Sequence, residues 1–560
     1  MNSRSAAFLL LAALLAAAFP RLVSLATFDF IDSGGGSDSV TYLALADNLS
    51  AGRGYTEFGR PHTVHHPLYP LAIAAARYLV PGPAAAAKTV SCLAGVLLIV
   101  PVFFLAASMF GLGAGLVAGL LAALCPLLVY GSVETFSESL YTLMLWLGLW
   151  GAWGASRGER RFLAAAGAGA GFALAFLTHP MGVIFVPFFA GYVFAAGCRR
   201  RRPGTAALSV VLMVLVFAAC ALPFWARLHR VTGEWQLSGS SHYRDFGLRY
   251  EQGRGVPESR VIFEHMEQLF GPGSPEPAGG GERESLGMAE LIVRYPGRFL
   301  RIVGFNLEDG YAEALKTARF LGLPPWLFFA ALGAGGVLPL AILGYALVRR
   351  RRRGAVFFLA LVFLPMAVFL VMQVEHRYFY PFIPGALILL SWPLASAWPG
   401  RFRRWGTPVL AGCLLVFAGG SGYVVWRKAV KKGIPYEYRL LGDWMRRHLP
   451  DMGGERVMMF RLGVSYYAGC EWNVFYWGDY PGLVSYLSDR GIWYLVIDSY
   501  KLHMIHPSLR FLLTGPPPPE FEVVHETEFD GRRARLLRFK GPVPEREGGA
   551  PAAVPASAPE

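Results

Sequence analysis

Charged side chains are scarce in this chain of 560 residues. Asp, Glu, Lys and Arg together make up 16% of it, whereas soluble domains contain about 25%. Hydrophobic residues make up 54%, which is more apolar material than soluble domains of this length carry. The shortage of charge therefore excludes a string of soluble domains and predicts a polytopic α-helical membrane protein.

Cysteine is also rare, with six residues in the whole chain. All except Cys470 lie in or beside apolar runs. The sequence contains no CxxC pair and no Cys/His spacing that is typical of a zinc site. It therefore predicts neither a disulfide framework nor a cysteine-based metal site.

Acidic residues are fewer than basic residues, and the net charge is +14. Four short loops between apolar runs account for that excess, with Glu159 as their only acid: Arg157, Arg160 and Arg161; Arg199–Arg202; Arg349–Arg353; and Arg401, Arg403 and Arg404. Arginine in short loops between spans is typical of the cytoplasmic side of a membrane protein. The excess therefore predicts orientation and contact with membrane lipids, and it argues against a nucleic acid partner.

About eleven apolar runs are long enough to cross a bilayer. They lie near 6–27, 84–107, 111–130, 138–155, 161–177, 181–197, 205–225, 324–348, 354–373, 379–398 and 408–426. With the N-terminus inside, all four arginine loops fall on the cytoplasmic side. A cleaved signal peptide is the alternative for the first run, and it leaves the other orientations unchanged.

The pattern divides the chain into three parts. Residues 1–426 are predicted to form a transmembrane module with outer loops 28–83 and 226–323. Residues 427–540 are predicted to form a small extracytoplasmic α/β domain, and the Pro/Ala/Glu/Gly-rich tail 541–560 to be disordered. The predicted elements of the α/β domain are helices at 438–448 and 483–489, strands at 456–460 and 492–497, and a hairpin of 522–528 with 534–539 around Asp530-Gly531.

The outer segment 28–83 contains two helical patterns. Apolar residues at Tyr42, Leu45, Ala46 and Leu49 have helical spacing, which predicts a helix on the membrane surface. A second apolar helix is predicted from Pro67 to about residue 78.

Three acids near the predicted outer membrane boundary are candidate functional residues. Asp38 begins the first of these helices after the flexible run Gly34–Gly36, and Glu134 and Glu138 lie at the outer mouth of the fourth span. On spacing alone, an N-terminal cap is the favoured role for Asp38. The alternative for Glu134 and Glu138 is a solvated pair one helical turn apart.

Histidine and arginine supply two further candidates. His62, His65 and His66 cluster locally, but no acid or Cys completes a recognisable metal-binding spacing. Arg377 and Tyr378 lie at the outer end of a span, where either interfacial anchoring or the binding of a lipid phosphate would suit them.

A series of short motifs resembles the membrane-embedded GT-C glycosyltransferases, in particular the protein mannosyltransferase and aminoarabinose transferase group (family 39-like). In chain order they are Asp38-x-x-x-Tyr42-x-x-Leu45-Ala46-x-x-Leu49-x-x-Gly52-x-Gly54, His66-Pro67-Leu68-Tyr69-Pro70, Ser137-Glu138-x-Leu140, Thr178-His179-Pro180, Leu222-Pro223 with Thr232-Gly233, Tyr295-Pro296 with Phe299-Leu300, and Arg377-Tyr378. Each motif is weak alone. The ordered set, together with the predicted topology, is fairly specific.

The resemblance implies roles for these positions. It makes Asp38 the catalytic base and Glu138 a supporting acid. It implies substrate contacts for Tyr42, His66, Glu134, His179, Arg377 and Tyr378. Relatives often have paired acids where this chain has Asp38-Ser39, so no obligatory cofactor is expected and a divalent cation is the alternative. They often have an arginine where this chain has His179, so the sugar is not identified.

The reaction implied is glycosyl transfer at the extracytoplasmic face of the plasma or inner membrane. Nucleotide sugars are scarce there, so the expected donor is a hexose or pentose on a polyprenyl phosphate, and the acceptor is a hydroxyl of a lipid, glycan or protein. Such transfer needs a base and a cation beside the leaving phosphate. The alternative function is a polytopic transporter or flippase of a lipid-linked or small polar substrate, which would place polar residues near mid-bilayer.

Overall fold

Apolar helices dominate the chain up to residue 430 in the computed structural model. The structure describes residues 3–27, 37–57, 60–158, 160–238, 353–365, 376–395, 403–430 and 436–542, except 461, 501, 503–504 and 530, together with a few residues between 296 and 308. The predicted span 324–348, the run Gly34–Gly36 and the tail from 543 lie outside these residues, as does most of the predicted loop 226–323.

The described residues form two compact units, and the second begins at Pro435. The helices of the first unit are α1 (Ser3–Thr27), α2 (Ser37–Ser50), α3 (Leu68–Ala76), α4 (Pro83–Leu97), α5 (Ile99–Phe110), α6 (Leu112–Ala123), α7 (Pro126–Ser132), α8 (Glu138–Arg157), α9 (Arg161–Thr178), α10 (Phe185–Arg199), α11 (Pro203–Thr232), α12 (Arg353–Phe363), α13 (Ile383–Ala395) and α14 (Arg403–Val430). Short 3-10 helices cover Pro180–Ile184 and His376–Phe382, and a small hairpin pairs β1 (Thr56–Glu57) with β2 (Arg60–Pro61).

Within the described part of the chain, six helices are long and apolar enough to cross a membrane. The pair α6 and α7 makes a seventh if it counts as one span. Helix α8 coincides with the predicted span 138–155 without belonging to the six, and the apolar parts of α12 and α14 are shorter. The protein is therefore an integral membrane protein, and the predicted total of eleven spans stays a prediction.

One predicted span is broken. The run 111–130 forms α6 and α7, which are bent by 57° at Pro126, because a proline removes a backbone donor and disfavours helix in the residue before it. Buried Arg21 donates from Nη1 to the Ala123 carbonyl at 3.0 Å, and Ser421 donates to the Leu124 carbonyl at 2.6 Å. These side chains satisfy the carbonyl groups that the break releases.

Helix α2 forms where a surface helix is predicted, but its apolar face is not turned to lipid. Tyr42, Leu45 and Ala46 are buried, and so is Leu43 on another side of the helix. The helix packs against α3 and α4. Its apolar residues therefore pack inside the first unit, and its position at the membrane surface stays a prediction.

The second unit is a five-stranded mixed sheet with helices. Its elements are α15 (Tyr436–His448), β3 (Arg456–Met459), α16 (Gly463–Ala468), β4 (Glu471–Val474), α17 (Tyr480–Arg490), β5 (Tyr494–Asp498), α18 (Phe511–Thr514), β6 (Phe521–Phe529) and β7 (Arg532–Phe539), with 3-10 turns at Pro450–Gly454 and Pro507–Leu509. The strand order is β4-β3-β5-β7-β6, and β3 runs parallel to β4 and β5 while the other pairs are antiparallel.

The strands of this sheet bury both faces. Val457 and Met459 point to the side that α15 covers, whereas Met458 points to the side that contains Leu483 of α17, as the alternation of side chains along a strand requires. The predicted elements each have an observed counterpart, but α16, β4, α18 and the two 3-10 turns were not predicted.

Candidate active site

Arg377 lies between two acidic residues in the first unit. Its Nη2 atom is 2.8 Å from Oδ2 of Asp38, and its Nε atom is 3.5 Å from Oε1 of Glu138. Asp38 is in the first turn of α2, Glu138 is the first residue of α8, and Arg377 is in the 3-10 helix His376–Phe382. Three distant parts of the sequence therefore meet at one cluster, which we call the Arg377 cluster.

Tyr42 fixes the position of α2 relative to α8. Its hydroxyl is 3.1 Å from Oγ of Ser137, the residue before α8, and its ring meets the ring of Tyr69 edge to face at 5.0 Å. Tyr69 in turn hydrogen-bonds Ser91 of α4 at 2.8 Å. Asp38 is one helical turn before Tyr42, so these contacts direct its carboxylate towards Arg377.

The electrostatics of the cluster keep Asp38 ionised. Burial alone would raise its pKa, but the Arg377 guanidinium, aided by His65, outweighs burial and holds the pKa of the Asp38 carboxyl well below its usual range. Burial, together with the charges of Asp38 and Glu138, raises the pKa of Tyr42 far above its ordinary value. At neutral pH the cluster thus offers a carboxylate that can accept a proton and a neutral phenol.

Aromatic rings surround the cation. The guanidinium carbon of Arg377 is 4.9 Å from the centre of the Phe136 ring and 5.6 Å from that of Tyr378. Contact with ring faces stabilises a partly desolvated cation. Phe136 was not predicted as a site residue, although it immediately precedes the Ser137-Glu138 motif.

Glu134 and Glu138 do not form a solvated pair. Glu134 is fully buried and Glu138 is 5% exposed. Glu134 belongs to the turn between α7 and α8, so the two acids are not on one helix. The alternative of a solvated pair is therefore wrong. Glu138 belongs to the Arg377 cluster, whereas Glu134 lies in the turn beside it.

His179 and Tyr378 form an aromatic group next to the cluster. The His179 ring centre is 6.2 Å from that of Tyr378 and 5.2 Å from that of Tyr141. His179 follows α9, and its Nδ1 atom accepts a 3.4 Å hydrogen bond from the Met181 backbone at the start of the next 3-10 helix. The structure therefore brings His179 beside Tyr378, which precedes α13.

His66 contacts residues of α9 and α11. It is buried, its Nε2 atom is 2.9 Å from Oγ of Ser238, and its ring packs against Phe176 of α9 and Phe224 of α11. These contacts join the segment before α3 to α9 and α11. The predicted substrate contact of His66 stays a prediction.

Two further histidines and an acid extend from Asp38. His65 Nε2 is 3.6 Å from Asp38 Oδ1, His62 Nε2 is 3.0 Å from His65 Nδ1, and His62 Nδ1 is 2.8 Å from Glu57 Oε2. Glu57 was not predicted as a site residue, because it belongs to no motif; it is the last residue of β1, which pairs with β2 immediately before the histidines.

No group of three or more His, Cys, Asp or Glu side chains that could hold a metal ion occurs in the part of the chain that the structure describes. The Arg377 cluster places a cation between its two acids. The divalent cation named as an alternative cofactor accordingly stays a prediction.

Comparisons with known proteins agree with the motifs. Residues 64–226 match the family model described as dolichyl-phosphate-mannose-protein mannosyltransferase. No curated protein matches the chain in sequence. The crystal structure of the Archaeoglobus fulgidus oligosaccharyltransferase tethered with an acceptor peptide is 16% identical over 90% of this chain and 70% of that chain, with a TM-score of 0.59.

Two other solved structures are similar to this chain. One is the archaeal oligosaccharyltransferase AglB from Archaeoglobus fulgidus in complex with an inhibitory peptide and a dolichol-phosphate, with 16% identity over 88% of this chain and 69% of that chain and a TM-score of 0.58. The other is ArnT from Cupriavidus metallidurans bound to undecaprenyl phosphate, with 14% identity, coverage of 96% and 98%, and a TM-score of 0.46.

These findings confirm the resemblance that the motifs indicate. The family model covers the segment from His65-His66-Pro67 through Thr178-His179-Pro180 to the Leu222-Pro223 pair. Residues 64–226 therefore carry the sequence pattern of the protein mannosyltransferase family, within a chain that has the GT-C glycosyltransferase fold.

Proposed function

We propose that this protein is a membrane glycosyltransferase that moves a hexose or pentose from a polyprenyl-phosphate donor to a hydroxyl acceptor. The observation that carries this proposal is Arg377 held between Asp38 and Glu138. Glycosyl transfer to a hydroxyl needs a proton acceptor beside the acceptor group and a cation beside the leaving phosphate. In the Arg377 cluster the carboxylate of Asp38 and the guanidinium of Arg377 lie within hydrogen-bonding distance of each other.

Asp38 is the proposed base. Its carboxylate is half-buried, ionised at neutral pH and fixed by α2. A carboxylate close to the anomeric carbon would also favour an oxocarbenium-like transition state, by analogy with glycoside hydrolysis. Glu138 is more deeply buried and contacts Arg377 at a longer distance, so its proposed role is to orient the guanidinium.

Arg377 is the proposed ligand of the donor phosphate. Guanidinium groups bind phosphate through paired, charge-assisted hydrogen bonds. The similar archaeal oligosaccharyltransferase was solved with a dolichol-phosphate, which supports a lipid-linked donor for this chain. A bound phosphate would compete with Asp38 for the guanidinium, so donor binding and release of the Asp38 carboxylate are coupled in this proposal.

The neighbouring residues are proposed to surround the substrates. Tyr378 and His179 form an aromatic wall beside Arg377, and aromatic walls are common in small-molecule sites. Tyr42 lies on the other side of Asp38. His66 and Glu134 keep their implied substrate roles as proposals, and the acceptor is a hydroxyl on a lipid, glycan or protein.

The proposed site faces the extracytoplasmic side. The arginine clusters occupy loops that the predicted topology assigns to the cytoplasm, and Asp38 and Glu138 fall in segments of the opposite side. A polyprenyl-linked sugar suits that compartment, where nucleotide sugars are scarce.

A direct assay tests this function. Purified protein in detergent or nanodiscs is incubated with a panel of radiolabelled polyprenyl-phosphate hexoses and pentoses and with membrane lipid, glycan and peptide acceptors. We expect transfer from at least one donor, and loss of that transfer in Asp38→Asn. Transport of the lipid-linked sugar across a vesicle membrane, without any transfer, would favour the flippase alternative instead.

A further inference from the structure

We propose that His65 takes up the proton that Asp38 removes from the acceptor, and that His62 and Glu57 polarise His65 for this step. The inference rests on the proposed function, because it assumes that Asp38 is the base. It adds three residues to the site and gives them different roles. His65 exchanges the proton, whereas His62 and Glu57 are positioning residues.

The three side chains form a continuous line behind Asp38. Glu57 contacts His62 at 2.8 Å, and His62 contacts His65 at 3.0 Å. His65 faces Oδ1 of Asp38 at 3.6 Å, while Arg377 binds the other oxygen, Oδ2, at 2.8 Å. The 3.6 Å gap is too long for a direct hydrogen bond and must shorten by about half an ångström or be bridged by one water for a proton to cross.

The hydrogen positions along this line follow from one backbone contact. The His65 backbone N–H donates to Nε2 of His62 at 2.9 Å, so Nε2 of His62 is an acceptor. Neutral His62 then carries its proton on Nδ1 and donates it to Glu57. Nδ1 of His65 can then only donate to Nε2 of His62. The other ring nitrogen of His65, Nε2, therefore faces Asp38 with its lone pair available.

Asp38 needs a second acceptor because it is a weak base. The Arg377 guanidinium holds its pKa well below the usual range, so Asp38 gives up the proton once the glycosidic bond has formed. The Nε2 atom of His65 faces Oδ1 of Asp38 and can accept that proton.

The transfer can be written in full. The acceptor hydroxyl gives its proton to Oδ1 of Asp38 while its oxygen forms the bond to the anomeric carbon, and the bond from that carbon to the donor phosphate oxygen breaks. The electron pair of the broken bond stays on the polyprenyl phosphate, which leaves beside Arg377. Asp38 passes the proton to Nε2 of His65 and becomes a carboxylate again, and His65 becomes an imidazolium. His65 then releases the proton to water, since its side chain is 20% exposed. His62 and Glu57 end each cycle unchanged.

The surroundings hold this line in place. The Tyr55 hydroxyl donates to the His65 carbonyl at 3.0 Å, and the Tyr55 carbonyl accepts from Arg227 of α11 at 2.8 Å. The charged groups that face the line are Asp38, Glu57, Glu138, Arg227 and Arg377. Glu57 contacts His62, at the end of the line opposite Arg377. Its negative charge therefore stabilises an imidazolium on His65.

The test compares His65→Ala, Glu57→Gln and the control His448→Ala in the transfer assay. His448 is exposed at the end of α15 in the second unit. We expect His65→Ala to be roughly 10- to 100-fold slower than wild type and to regain several-fold in rate with added imidazole. His448→Ala should keep the wild-type rate with and without imidazole. Melting curves for all variants establish that they are folded.

The pH profile separates a proton role from a structural one. A proton role for His65 predicts that the pH profile of the rate differs between wild type and His65→Ala. Glu57→Gln removes the negative charge that favours the imidazolium, so it should shift the wild-type profile to lower pH, and the same substitution should have no such effect when His65 is absent. His65→Gln serves the same purpose if the alanine variant does not fold.

The outcomes are distinct. One outcome would overturn the relay and leave the proposed function standing. In it, wild type catalyses transfer, Asp38→Asn does not, and the His65 variants keep the wild-type rate and pH profile. A folded His65→Ala that is slow, not rescued by imidazole and unaltered in pH profile would also overturn it. No transfer by wild type from any donor would overturn both.

Discussion

The Nη2 atom of Arg377 lies 2.8 Å from Oδ2 of Asp38, and both side chains are largely withdrawn from solvent. An ion pair in such a place is costly to form and is retained only with good partners on both sides. Glu138 and the ring of Phe136 supply those partners for Arg377. The pair is therefore a preorganised site whose cation can change partners when an anionic substrate arrives.

Arg377→Lys should weaken donor binding. The lysine keeps the positive charge but loses the planar fork that reaches Asp38 and Glu138 together and that would pair with two phosphate oxygens. We expect the donor KM to rise roughly 10-fold or more while the variant still folds. Titration of a polyprenyl phosphate against the purified variant gives the same comparison without turnover. Equal affinities of wild type and Arg377→Ala would show that this residue only anchors the helix end.

Asp38→Asn should abolish most of the activity and leave the fold intact. Asparagine keeps the shape and suits the start of a helix about as well as aspartate, but it cannot accept the proton, so the rate should fall roughly 100-fold or more. Glu138→Gln should have a smaller effect, because that acid contacts Arg377 at the longer distance. The measurement is transfer at saturating donor beside a melting curve. A folded Asp38→Asn with near wild-type turnover would assign the base to another residue, with Glu138 the next candidate.

The elements that could be predicted are those with a local signal. Hydrophobic runs predicted the helices, and Asp530-Gly531 predicted the turn between β6 and β7, where Gly531 has a φ of +75°. The burial of α2 depends on partners that are distant in sequence, so periodicity alone could not show it. Likewise, the motifs predicted Asp38, Glu138 and Arg377 separately, whereas Glu57 belongs to no motif and joins the site through its contact with His62.

Acidification should destabilise the segment around His62. Burial lowers the pKa of His62 below its ordinary value, so the unfolded chain binds a proton at a pH where the folded chain does not. This contribution to stability is present above about pH 6.5, the ordinary value for histidine, and is lost as pH falls. The pKa of Glu57 is also lowered, but its contribution to stability changes only below its ordinary pKa of about 4.3. Melting temperatures of wild type and His62→Gln at pH 7.5 and pH 5.5 check this, and we expect a smaller decrease in the variant. An equal decrease in both would contradict burial of a neutral His62.

The second unit should be extracytoplasmic. The arginine-rich loops and the predicted number of spans before residue 427 place it opposite the cytoplasm. A reporter that is active only outside the cytoplasm, fused after Phe539 at the end of β7, should be active, and the same reporter fused in the arginine loop after Arg202 should be inactive. Two inactive but stably expressed fusions would mean that the predicted number of spans between Arg202 and Phe539 is wrong by an odd number.

Close packing between α8 and α9 gives a prediction about the scaffold of the site. A Cβ atom added at Gly171 of α9 would overlap the backbone of Gly148 in α8, whereas one added at Gly167 of the same helix meets nothing within 4 Å. Gly171→Ala should therefore separate the two helices and destabilise the protein by about 1–3 kcal/mol. Gly167→Ala is the matched control, since alanine in an open helical position stabilises by about 0.5–1 kcal/mol. Because α8 begins at Glu138, its displacement should also loosen the contact with Arg377, and transfer activity should decrease in Gly171→Ala but not in Gly167→Ala. Equal melting temperatures for the two variants would show that this helix pair accommodates a methyl group and that the close approach does not position the site.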